Sequence, residues 1–159
     1  MTGDVSRDQA RPPAGGTGPG RSARWLGYAG LIPFVALALA VALNLAPGRD
    51  AHARWLIGYA ALIASFLGGI HWGLMMRAAA GEGASARLWW GVAPSLLAWA
   101  AWGMPPAGAL LWLAIVLVAC FIVDRGVYRA AGAAAWLGLR LQLTSVATLS
   151  CLLAAFRLG

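Results

Sequence analysis

Five stretches of the chain are apolar nearly all the way round a helix, and the polar positions fall almost wholly between them. The runs are Trp25 to Ala46, Trp55 to Met76, Leu88 to Met104, Ala107 to Val123 and Leu137 to Phe156. Each meets the roughly 17 to 25 residues that a helix needs to cross a bilayer. Residues 24–159 therefore read as all-α, a polytopic membrane protein with a bundle of five transmembrane helices. The third and fourth runs are joined only by Pro105-Pro106, so that hairpin either spans fully or re-enters. Pro33 and Pro94 each remove a backbone donor and bend their helices. Residues 1–23 carry Arg-Pro-Pro and Gly-Gly-Thr-Gly-Pro-Gly and no apolar run, which predicts a disordered tail. The first apolar run is too long for a signal peptide core and is expected to be retained.

Composition agrees with the pattern. Hydrophobic residues make up 61% of the 159 and charged residues 11%, which excludes an ordinary soluble domain. The net charge of +7 comes from 12 basic residues, all Arg, against 5 acids. A basic patch for nucleic acid would cluster these on one soluble face. Here they stand at the ends of apolar runs, as in Arg24-Trp25, Arg54-Trp55 and Arg87-Leu-Trp89, so the partner they imply is a lipid bilayer with anionic headgroups, not nucleic acid. Nine arginines fall on one side of the spans: Arg7, Arg11, Arg21, Arg24, Arg77, Arg87, Arg125, Arg129 and Arg140. Three, Arg49, Arg54 and Arg157, fall on the other. The positive-inside rule then puts the N-terminus in the cytoplasm and the C-terminus outside.

Candidate chemistry is sparse. Ser65, Gly69 and Gly73 recur every fourth residue and form a side-chain-poor stripe for close helix packing. His71, about 200° round the helix from Gly69, points away from that stripe and shares its own with Ala64, Leu67, Gly68 and Met75. It lies roughly 7.5 Å above the cytoplasmic end of its span. An ionisable residue at that depth is a functional candidate, as a core imidazole bonded to a neighbouring helix or as a proton-handling or ligand-contacting group. Asp124-Arg125 ends the fourth span at the same level, where Arg140 enters the fifth, so His71, Trp72, Asp124, Arg125 and Arg140 form the candidate cluster, with Arg77 and Gln142 in the same layer. Asp124 is expected to pair with Arg140 or Arg77 through a guanidinium fork. No metal site is expected, since His52 falls in an opposite loop and no Cys or carboxylate stands at metal spacing. Nor is a cofactor: one chain cannot supply two histidines to a haem, although two copies could bring two His71 together. Cys120 and Cys151 sit at different depths and are read as unbridged core residues.

The segments Gly30-Leu-Ile-Pro33-Phe34, Ser65-Phe-Leu-Gly-Gly-Ile-His71-Trp72-Gly73, Pro94-Ser-Leu-Leu-Ala-Trp99, Asp124-Arg125, Trp136 and Leu139-Arg140 with Leu143-Thr144 resemble a family of small bacterial inner-membrane proteins, domain of unknown function 3429, which includes mitochondrial transmembrane protein 69. The resemblance runs from about Gly27 to the C-terminus and departs from the family's Leu-Pro-x-Trp-Tyr at Ala133-Ala-Ala-Trp136-Leu137. It implies a five-helix inner-membrane protein and no particular activity. Three functions are weighed: a non-enzymatic protein that assists or stabilises a membrane partner or a second copy of itself, a small transporter or proton pathway centred on His71, and an intramembrane enzyme. Paired repeats and several midplane ionisable groups, the marks of a transporter, are missing, which favours the first.

Overall fold

Without water to bond its amides, an apolar chain satisfies its backbone internally, and that is what these runs do. The computed structural model describes residues 18–77 and 84–159, with the backbone alone at 77 and 84–87. The helices are α1 (Arg21–Ala29), α2 (Ile32–Ala42), α3 (Arg49–Arg77), α4 (Ala84–Ala100), α5 (Pro106–Ala130) and α6 (Leu137–Leu158). Short 3-10 turns at Ala101–Gly103 and Ala134–Trp136 extend α4 and lead into α6. Four stretches, Arg21–Ala42, Arg49–Met76, Pro106–Ala130 and Ala134–Leu158, are long and apolar enough to cross a membrane, the mark of a multi-pass membrane protein.

The first of these is one rod broken at Gly30-Leu31. Pro33 stands in the first turn of α2, where its missing N–H costs no helical bond. Tyr59 of α3 donates its hydroxyl hydrogen to the Gly30 carbonyl at 2.8 Å, and the Phe34 ring packs edge-on against the Tyr59 ring at 5.1 Å. The Gly30 to Phe34 element is thus a bend pinned to its neighbour.

The rods α2, α3, α5 and α6 close into a ring, and α4 lies outside it against α3. Direction follows from side-chain pairs. Gly68 meets Gly91, and Gly58 shares a cavity with Trp102, so α4 runs back along α3. Tyr28 reaches Gln142 near the start of α6, while Leu158 at its end shares a cavity with Arg49. The described residues therefore traverse the bundle five times, and Arg21 and Leu158 lie at opposite ends.

The ring is held by seams spaced three or four residues apart: Ala53, Leu56, Ala60, Ala64 and Leu67 on α3, Leu110, Leu113, Leu117 and Cys120 on α5, Ala147, Cys151 and Ala154 on α6, all buried. Small residues dominate, and they let backbones approach where no hydrophobic effect drives helices together. Outside, Trp25, Trp55, Phe66, Trp89, Trp99 and Phe156 are exposed, an apolar surface suited to lipid.

Several boundaries differ from the sequence reading. Arg21 to Ala23, assigned to the tail, are helical; the rest of that tail through residue 17 lies outside the described residues. The second rod begins at Arg49, not Trp55. The fourth continues past Val123 to Ala130, so Asp124-Arg125 lies inside a helix and not at its end.

Candidate functional site

At one end of the ring each seam takes one more step, and that step is polar. His71 is one turn beyond Leu67 on α3, Asp124 one turn beyond Cys120 on α5, and Arg140 one turn before Thr144 on α6. Because α3 and α5 run toward this end and α6 starts from it, the three side chains meet in one layer. All are buried, at 2%, 1% and 9% exposure, where charges are screened less than at the surface.

Asp124 is the centre. Its Oδ2 accepts a hydrogen bond from Nη2 of Arg140, and its Oδ1 lies 3.5 Å from Nε2 of His71. Nδ1 of His71 faces the Leu67 carbonyl at 3.4 Å. The imidazole therefore stands between two acceptors, the Leu67 carbonyl oxygen that Nδ1 reaches and the carboxylate oxygen that Nε2 faces without a hydrogen bond. The geometry leaves capacity unused: His71 Nε2, Asp124 Oδ1 and Arg140 Nε have no hydrogen-bond partner. Chemically, the arrangement can hold α3, α5 and α6 together through one carboxylate, or exchange a proton between imidazole and carboxylate.

Cys120 and Tyr128 flank Asp124 one turn to either side, both buried, and Thr144 flanks Arg140. One turn toward the near end, a cavity of about 210 Å³ is bounded by Ile70, Leu74, Tyr128 and Trp136. In the other direction a cavity of about 160 Å³, bounded by Leu67, Leu117, Arg140, Thr144 and Ala147, adjoins the triad, and the seams beyond it are apolar.

Of the candidate cluster, His71, Asp124 and Arg140 come together and two residues do not. Arg125 follows Asp124 by about 100° round α5 and is exposed, outside any ion pair among the described residues. Trp72 is turned toward α4, where its indole lies over Gly91 and occupies the space a β-carbon there would need. Gln142 accepts from Tyr28 at 2.6 Å, and the Arg77 side chain lies outside the described residues.

The helix-packing assignment needs correction. Gly69 and Gly73 are exposed, and a β-carbon at either would meet no atom within 4 Å. Ser65 is half-buried and donates to the carbonyl of Ala61 at 3.0 Å. The close crossing is at Gly68, where a β-carbon would come within 2.5 Å of the Gly91 carbonyl oxygen. The stripe shared with His71 is the packed one, and its neighbour faces outward. Sequence reasoning also passed over Tyr128, Gly91 and Tyr59; the 3–4 spacing through Cys120, Asp124 and Tyr128 was the available signal for the first.

Both cysteines are free, and among the described residues no group of three or more His, Cys, Asp or Glu side chains could hold a metal ion. No curated protein and no solved structure matches the chain. Residues 19–156, which take in all but the last two residues of the helices and all three members of the buried triad, match the family described as Protein of unknown function (DUF3429), and the chain belongs to that family.

Proposed function

We propose that this chain is a non-enzymatic protein of the bacterial inner membrane, related to mitochondrial transmembrane protein 69, that assists or stabilises a partner within the bilayer. The observation that carries the reading is the enclosure of the triad. A carboxylate buried between a guanidinium and an imidazole is suited to lock helices together, and beyond the small cavity beside Arg140 the seams are apolar and, among the described residues, offer no second acid, arginine or histidine to relay a proton. The face left for a partner is the outward stripe of α3, where Gly69 and Gly73 have open space beside them.

In this reading all five rods span, since α4 with its 3-10 turn runs antiparallel along α3. Five spans put the arginine-rich end in the cytoplasm and the C-terminus outside. Reporters fused at Gly159 and near Gly81 test this; a cytoplasmic Gly159 would contradict it.

Affinity purification from native membranes in mild detergent tests the partner role. A stoichiometric membrane complex that Gly69→Leu dissolves without lowering the protein's own stability is expected. A protein recovered alone would shift weight to the second reading, a proton-handling site. That alternative is favoured by the facing, unpartnered His71 Nε2 and Asp124 Oδ1. It requires His71→Gln and His71→Leu both to abolish rescue of a deletion phenotype at normal protein levels.

A further inference from the structure

The end of the bundle opposite the triad carries a second concentration of charge. Arg49 and Arg54 from the start of α3 and Arg157 from the end of α6 line one cavity of about 430 Å³, together with Asn44, Gly48 and Asp50. Among the described residues these are the arginines at this end; Arg21, Arg24, Arg125, Arg129 and Arg140 are at the other. Three guanidinium groups face one carboxylate here, and no ion pair within 4.0 Å joins Asp50 to any of them. This is the reverse of the triad, where a single carboxylate faces one guanidinium and one imidazole. Exposed like charges drawn to one concavity from segments more than a hundred residues apart repel one another, screened by solvent, and an anion between them turns that repulsion into attraction. The first turn of α3, whose leading amides have no partner inside the helix, borders the same space.

We infer that this cavity binds a phosphate-type oxyanion, with Arg49, Arg54 and Arg157 as its cationic ligands. Several guanidinium forks suit the several oxygens of a phosphate, which accept charge-assisted hydrogen bonds in pairs. The phosphate comes either from the headgroup of an anionic phospholipid in the adjoining leaflet or from solution. The inference is independent of the role given to the triad.

The test uses the full chain purified in a neutral detergent. Native mass spectrometry measures retention of phosphatidylglycerol against phosphatidylcholine, and thermal unfolding measures stabilisation by inorganic phosphate against chloride at equal ionic strength. Preferential retention of one phosphatidylglycerol points to the lipid source, and stabilisation by phosphate alone to the free ion. Either response should weaken about tenfold for each arginine removed in Arg49→Gln and Arg157→Gln, the size of one charge-assisted hydrogen bond. It should be unchanged in Arg125→Gln, an exposed arginine at the other end. Both variants alter exposed side chains, so should either fail to fold the other still carries the test. No preference for either probe, or an equal loss in Arg125→Gln, overturns the inference.

Discussion

The layer that holds His71, Asp124 and Arg140 and the layers beyond it use the same 3–4 spacing on the same helices, yet they fail in different ways. In the apolar layers each contact is small and nearly independent, so removing methyl groups leaves a cavity and a graded loss. In the ionic layer one carboxylate serves two partners, and removing it strands a buried guanidinium. Equal geometry thus gives a tolerant region and an all-or-none region in one bundle.

The sharpest way to break this comparison is Asp124→Leu, expected to cost on the order of 3–5 kcal/mol in detergent-resolved unfolding because Arg140 loses its counter-charge. Adding Arg140→Met should restore much of the loss, whereas Leu113→Ala in the apolar region should gain nothing from a second truncation such as Leu117→Ala. Additive losses at both places would remove the distinction.

Next in size is the contrast between adjacent glycines. Gly68→Ala pushes a methyl group against the Gly91 carbonyl and should cost about 1–3 kcal/mol by separating α3 from α4. Gly69→Ala meets open space and should be neutral or stabilising by up to about 1 kcal/mol, since Ala is the better helix former. Equal effects would mean that the two faces of α3 have been exchanged.

For His71 the expected loss is smaller, because Arg140 still satisfies Asp124. His71→Gln keeps a donor and an acceptor and should cost under about 1 kcal/mol, while His71→Leu should cost roughly 1–3 kcal/mol. A small effect should also come from Tyr59→Phe, which keeps the ring against Phe34 and deletes only the bond to Gly30, about 1 kcal/mol. A loss larger than that of His71→Leu would move the bundle's weak point to the bend between α1 and α2.

Hydropathy alone located the rods, because in lipid a long apolar run has no other way to bond its backbone. It misjudged the fourth because Asp124-Arg125 looks like a headgroup anchor. Only the arrival of Arg140, sixteen residues on, makes that carboxylate tolerable inside a helix. The pairing of Asp124 with Arg140 was legible, since charge and depth matched. The choice of glycine face was not. Gly68-Gly69 offers one small residue to each of two adjacent stripes, and which stripe packs depends on Gly91, a residue with no signal of its own in the sequence. The convergence of Arg49, Arg54 and Arg157 was hidden for the same reason: it needs the end of α6 beside the start of α3.

In this reading the triad serves to hold helices, not to pass protons. Proton flux settles it most directly, measured with an internal pH-sensitive dye in liposomes that carry the purified chain under an imposed pH gradient. The account predicts a decay equal to that of protein-free liposomes and unaltered by His71→Gln. A faster decay with the wild type, returned to the protein-free rate by His71→Gln, would contradict it.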